Sequence, residues 1–125
     1  MRRKHVLIVE DDDDAREVLG ELIMALGHHA VSAADANEAL RRAGEARLDL
    51  ALIDLSLGGA DGCDVARQIR NVEHGANIRL VALTGYSDDR TRKTAAEAGF
   101  DDFIVKPAHA DAIQAVLNAQ PRVPV

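Results

Sequence analysis

Five side chains in this sequence have types and spacing that chemistry can use: Glu10, Asp11, Asp54, Thr84 and Lys106. They stand where four short, largely apolar runs stop, namely His5–Val9, Leu50–Ile53, Ile78–Leu83 and Asp102–Val105. If those ends share one rim, three carboxylates, a hydroxyl and an ammonium meet there. Packed carboxylates repel unless something cationic sits among them. Mg²⁺ favours carboxylate oxygens together with phosphate and retained water, which suits Glu10, Asp11 and Asp54. A carboxylate can also act as the nucleophile and become an aspartyl phosphate. Lys and Thr then hold phosphoryl oxygens while the cation offsets growing negative charge. The set points to phosphoryl transfer. An Asp that merely stops a strand or caps a turn would account for Asp54 alone, but not for the charges that converge with it.

The elements that must position these groups are legible in the pattern. Leu50-Ala51-Leu52-Ile53 runs unbroken into Asp54, and turn-forming residues from Ser56 to Gly62 follow. Such a run suits a strand buried on both faces, as in a parallel sheet. His5–Val9 is a second central strand. The acids Glu10 to Asp14 follow it; Asp12 to Asp14 suit a solvated face, and Asp14 with Glu17 suits a capping box. Ala15, Val18, Leu19, Leu22, Ile23 and Leu26 recur at helical spacing, ended by Gly27. His29–Ala34 predicts a short edge strand. Asp35 and Glu38 predict a capped helix with Ala36, Ala39, Leu40 and Ala43 inward and Gly44 near its end. Asp61 and Asp64 can cap a third helix, with Val65, Ile69 and Val72 inward and Gly75 closing it. Ile78–Leu83 is the fourth strand. Ser87–Ala98 reads as a helix ending at Gly99 whose inward face offers only Thr91, Thr94, Ala95 and Ala98. At about 0.8 kcal/mol per buried CH₂ it is held weakly, which makes it the expected mobile element. Asp102–Val105 is the fifth strand, and Pro107 blocks its continuation past Lys106. Ile113, Val116 and Leu117 mark the last helix.

Strands alternating with helices give a doubly wound α/β fold with a parallel five-stranded sheet covered on both faces. At 125 residues one domain is expected, with its core over about residues 5–119 and a frayed tail over 120–125. Hydrophobic residues reach 47% but aromatics only 2%, so the core is aliphatic. A net charge of −6 argues against a nucleic-acid or anionic-membrane surface. No apolar stretch approaches a membrane span or a signal-peptide core, so a cytoplasmic location is expected. Cys63 is alone, which leaves no disulfide framework; a helix start can depress a thiol pKa slightly, but the residue is expected simply as a small packing residue. His5, His28, His29, His74 and His109 share no metal-ligand spacing and read as surface or strand-end residues.

From Val6 to about Leu117 the chain resembles the receiver domain of two-component response regulators. The residues that carry the likeness are VEDD (Val9–Asp12), LIDLSLGGADG (Leu52–Gly62), ALTGY (Ala82–Tyr86) and FIVKP (Phe103–Pro107). The resemblance implies a flavodoxin-like (βα)₅ fold with strand order 2-1-3-4-5. It implies Asp54 as phosphoacceptor and Asp11 as a direct ligand of Mg²⁺ (or Mn²⁺). Glu10 helps hold the metal through water, and the Ser56 backbone carbonyl completes the protein ligands. Thr84 and Lys106 contact the phosphoryl group, and Phe103 is the switch aromatic. The implied partners are a sensor histidine kinase or a histidine phosphotransfer protein. A downstream protein would dock where the fourth helix, fifth strand and last helix share a surface. Neither nucleic acid nor membrane is expected as a direct partner.

The chain departs from the family pattern in three places. Leu57-Gly58-Gly59 stands where Met-Pro is frequent, Phe103 lacks the hydroxyl of the frequent Tyr, and Val116 occupies a position often basic in winged-helix regulators. Rival readings fare worse. An Asp-nucleophile phosphatase usually carries a second Asp two residues after the first, and Ser56 is there instead. A pseudo-receiver that only binds partners does not need the complete acid, Thr and Lys set. A flavin site wants aromatic stacking and a phosphate loop where this chain has acids. The domain is therefore expected to catalyse its own phosphorylation and dephosphorylation and to turn over no separate substrate.

Overall fold

The computed structural model describes residues 3–72 and 74–119. Along the chain come β1 (His5–Val9), α1 (Asp13–Ala25), β2 (His29–Ala33), α2 (Ala36–Glu45) and β3 (Leu50–Asp54). Two short strands, β4 (Ser56–Leu57) and β5 (Ala60–Asp61), precede α3 (Gly62–Asn71), β6 (Arg79–Thr84), α4 (Asp89–Ala98), β7 (Asp102–Val105) and α5 (Ala110–Leu117). The expected tail over 120–125 lies outside the described residues.

The large sheet has the order β2-β1-β3-β6-β7 with every pair parallel. Because β6 and β7 are its fourth and fifth strands, this is the 2-1-3-4-5 order anticipated, with β2 at an edge. The antiparallel β4–β5 hairpin is an addition. Two-residue strands around Gly58-Gly59 are too short to leave a period in sequence.

Alternation along each strand divides the core into two layers. Val6, Ile8, Leu50, Leu52, Val81 and Leu83 face α1 and α5, meeting Leu19, Ile23, Ile113 and Leu117. Leu7, Val9, Ala51, Ile53, Leu80 and Ala82 face α2, α3 and α4, meeting Ala39, Ala43, Val65, Ile69, Ala95 and Ala98. The small residues on α2 and α4 let those helices lie close to the sheet. With only Ala95 and Ala98 buried, α4 is anchored by few carbons.

Several local expectations need correction. Asp12, not Asp14, caps α1: its backbone is extended and its side chain accepts from the Asp14 N–H at 3.2 Å. Asp35 caps α2 as expected, while Glu38 reaches back to the Ala34 N–H at 2.8 Å rather than to Asp35 itself. Val18 is 62% exposed, because the apolar stripe of α1 narrows to Leu19, Leu22, Ile23 and Leu26. Thr94 is exposed beside the buried Ala95. α3 ends at Asn71, before a 3₁₀ turn over Gly75–Asn77. His28 is buried rather than superficial, with Nδ1 accepting from the Lys4 N–H at 2.9 Å. Cys63 is buried and its thiol pKa is raised, chiefly by that burial and then by Asp61, which outweigh any pull from the helix start.

One tie had no sequence signature. Arg70 sends Nη1 to the carbonyls of Gly75, at 3.0 Å, and Ile78. Its Nη2 donates to the Gly99 carbonyl at 2.7 Å and to Asp101 Oδ2 at 2.9 Å. It thereby joins the end of α3 to the left-handed Gly99 cap of α4 and to the approach to β7.

Candidate functional site

Four strand ends build the rim. β1 delivers Glu10, whose N–H donates to the Ala33 carbonyl at 3.1 Å and whose side chain is turned inward, 3% exposed. Asp11 follows on the surface. β3 ends in Asp54, 4% exposed, and its Oδ1 accepts the Ser56 N–H at 2.8 Å. β6 ends in the buried Thr84, whose Oγ1 accepts the Tyr86 N–H at 3.1 Å. Lys106 follows β7, its N–H donating to the Thr84 carbonyl at 2.7 Å. The Lys106–Pro107 peptide bond is cis. Parallel strands end at one edge, so residues far apart in sequence meet there.

The three acids and the Lys106 ammonium converge as expected, while the Thr84 hydroxyl is engaged by the Tyr86 N–H. Lys106 Nζ donates to Asp54 Oδ2 and lies 3.4 Å from Glu10 Oε1. Glu10, Asp11 and Asp54 each present an oxygen within 4.8 Å of the others. Burial, then the hydrogen bond and repulsion from Asp54, push the Glu10 carboxyl up to about 7 against the opposing pull of Lys106. Burial also opposes the Asp54 charge. The side chains of Glu10 and Lys106 and the Ser56 N–H overcome it and hold Asp54 below the ordinary carboxylate range. For Lys106, burial is likewise outweighed by Asp54 and Glu10, and its pKa is raised.

The donor set fits a hard divalent cation. Glu10, Asp11 and Asp54 cluster where Lys106 pairs with two of them, and Glu10 Oε2 is buried with no hydrogen-bond partner among the described residues. A buried carboxylate oxygen in that condition is costly, and a cation would satisfy it. Ser56 opens the β4–β5 hairpin beside Asp54.

Phe103 is half-buried on β7, opposite Ala82 in register, and shares the sheet face of Thr84 two residues short of the rim. The Arg92 guanidinium lies over its ring, 4.6 Å from the centroid. A groove of about 560 Å³ opens beside the acids, lined by Glu10, Asp12, Asp14, Val18, Lys106 and Pro107 among others, which gives the exposed Val18 a place.

Sequence reasoning missed three contributors. Arg16 donates to the Glu10 carbonyl at 2.9 Å while pairing with Asp13 at 2.5 Å; its (i, i+3) spacing from Asp13 was the available signal. The Gly58 N–H on Asp11 and the Arg92–Phe103 stack join residues from different elements, and no local pattern marks them.

A family model described as the response regulator receiver domain matches residues 6–118. The transcriptional regulatory protein AfsQ1 of Streptomyces coelicolor is 33% identical over 91% of this chain and 49% of its own length. The two-component response regulator PhoP of Pseudomonas aeruginosa is 36% identical over 91% of this chain and 50% of its own length. The chain thus spans about half the length of these curated relatives. Among solved structures, the receiver domain of a Pseudomonas aeruginosa sensor histidine kinase, with magnesium coordinated in its active site cleft, has a TM-score of 0.83. It is 30% identical, and the match covers 93% of this chain and 95% of that one. With four strand ends converging on an acid, hydroxyl and ammonium rim, and with the family model spanning nearly all the described residues, the chain belongs to the response regulator receiver domain family.

Proposed function

We propose that this receiver takes a phosphoryl group from a phosphohistidine onto Asp54 and changes its interaction surface in response. The observation that carries the proposal is the state of Asp54. It is a buried strand-end carboxylate that pairs with Lys106 and accepts the Ser56 N–H, beside two further acids. An Asp54 oxygen attacks phosphorus, the new O–P bond forms as the N–P bond breaks, and the donor imidazole leaves with the electron pair and is reprotonated. Mg²⁺, or Mn²⁺, held by Glu10, Asp11, Asp54 and the Ser56 carbonyl would offset charge on the transferring group. Lys106 can pass from the Asp54 carboxylate to a phosphoryl oxygen, keeping a charge-assisted bond throughout. The Thr84 hydroxyl can turn from the Tyr86 N–H to donate to another.

The donor is a sensor histidine kinase or a histidine phosphotransfer protein, consistent with a similar receiver belonging to a sensor kinase. Movement of Thr84 frees space on the sheet face it shares with Phe103, and packed sites settle in discrete arrangements. α4, held mainly by Ala95 and Ala98, is the element that shifts, and its surface with β7 and α5 is where a downstream protein docks. Receiver domains are regulatory rather than enzymes in the usual sense, and this one turns over no separate substrate. No helix among the described residues is long and apolar enough to cross a membrane.

The test is incubation with acetyl phosphate and Mg²⁺, followed by intact mass and peptide mapping. One acid-labile phosphoryl group on Asp54 is expected. Wild-type incorporation by Asp54→Asn would sink the assignment.

A further inference from the structure

Besides the Ser56 N–H on Asp54, a second hydrogen bond ties the β4–β5 hairpin to the acid rim, and the phosphoryl chemistry makes no use of it. The Gly58 N–H donates to Asp11 Oδ2 at 2.8 Å. The three acids are not held alike. Glu10 and Asp54 are buried and bridged by Lys106, whereas Asp11 is exposed and lies between the end of β1 and the start of α1. Repulsion from its two neighbours would drive such a side chain outward into water. The amide opposes that drift with a charge-assisted bond. A Cβ at residue 58 would stand 2.8 Å from the same oxygen, so only a glycine brings the backbone this close without displacing the carboxylate. The neighbouring Gly59 serves the backbone instead, since its φ of +80° turns the hairpin.

We propose that Gly58 is a positioning residue for the cation site, its N–H holding Asp11 on the rim before any metal arrives. The proposal rests on the reading of Glu10, Asp11 and Asp54 as that site. A carboxylate has two oxygens and about four lone-pair directions, so Asp11 can keep the amide on Oδ2 and still ligate. A ligand already ordered loses little freedom when the metal binds. Removing the hydrogen-bond partners of metal ligands typically weakens metal affinity by about 10–100-fold.

The test is Mg²⁺ titration calorimetry on the full chain, with wild type, Gly58→Pro and Gly58→Ala. Proline has no N–H, and its fixed φ suits the position before a turn residue with positive φ. Gly58→Pro is expected to bind Mg²⁺ about tenfold more weakly or worse. Gly58→Ala keeps the N–H but presses on Asp11, and is expected between that value and wild type. Hairpin loosening alone would not yield the accompanying signature in proton–nitrogen NMR of the metal-free protein. There the wild-type Gly58 amide should be shifted downfield and slow to exchange, and Asp11→Ala should abolish both. That signature needs no Gly58 variant to fold. Equal Mg²⁺ affinity in wild type and Gly58→Pro, or a Gly58 amide indifferent to Asp11→Ala, overturns the inference and leaves the acid site standing. A wild type that binds no Mg²⁺ overturns both.

Discussion

Replacing Arg70 with Met tests how α4 is held, because Met keeps an apolar stem and deletes only the guanidinium. The structure sets the magnitude. The Arg70 and Asp101 side chains are each 14% exposed and pair at 2.9 Å, and the same guanidinium serves the carbonyls of Gly75, Ile78 and Gly99. Without it Asp101 keeps the Leu80 N–H at 2.9 Å but loses the Arg70 charge in a mostly buried setting. Breaking such a pair costs about 3–5 kcal/mol. For a chain of 125 residues, roughly 4 °C of melting temperature per kcal/mol gives a fall of about 10–20 °C. The loss should also be local, since one of the carbonyls belongs to the Gly99 cap of α4, a helix with only two buried residues. Thermal melts followed by circular dichroism give the first number. Hydrogen exchange gives the second, with faster exchange expected over 89–101 than over α1. Adding Asp101→Asn to Arg70→Met should cost less than its effect in wild type, because the Arg70–Asp101 pair is already broken. A melting temperature within about 2 °C of wild type, or exchange raised equally in α1 and α4, would refute this account of how α4 is fastened.

Mg²⁺ at a hundred times its dissociation constant should raise stability by about 2.7 kcal/mol, and Asp11→Ala should lose most of that gain; a melting temperature unmoved by Mg²⁺ contradicts the site. His28 is held below its ordinary pKa of 6.5, first by burial and then by Lys4 and Arg3, so the unfolded chain binds more protons than the folded one. Its contribution is therefore complete above about pH 6.5 and is lost as pH falls, while Glu10, with its pKa raised, favours the folded state as pH falls from about 7 to 4.5. Subtracting His28→Gln from wild type in a series of pH melts isolates the first effect, and parallel curves would deny it. Gly62→Ala would place a Cβ 2.3 Å from the Asp54 carbonyl oxygen and 2.7 Å from Leu55 Cα, both backbone atoms. It should destabilise by about 1–3 kcal/mol and slow phosphorylation by acetyl phosphate, since the Asp54 peptide must move; an unchanged rate and melting curve would show that the strand end tolerates the shift.

The sequence by itself determined the order and type of the five long strands and five helices, because short unbroken aliphatic runs bounded by turn residues suit strands buried on both faces of a parallel sheet, while the two-residue strands β4 and β5 left no pattern. Once His5–Val9, Leu50–Ile53, Ile78–Leu83 and Asp102–Val105 are read as parallel strands, chain connectivity alone carries Glu10, Asp54, Thr84 and Lys106 to one edge. Side-chain neighbours within one helix were legible for the same local reason, as in the Asp35 cap. What only the tertiary structure decided lies in contacts between elements and in degrees of burial. Val18 and Leu19 are both branched aliphatics on one helix, yet the narrowness of the contact with the sheet leaves one in water and buries the other. His28 reads as a surface or strand-end residue until folding buries it and the Lys4 N–H closes on it. Glu10 and Asp11 are adjacent acids, but β1 turns one inward and releases the other to the surface. From that difference come the high pKa of Glu10 and the need of Asp11 for the Gly58 amide. Local pattern encodes what a residue is next to along the chain; the electrostatics of a site depend on what folding brings beside it and how much water it removes.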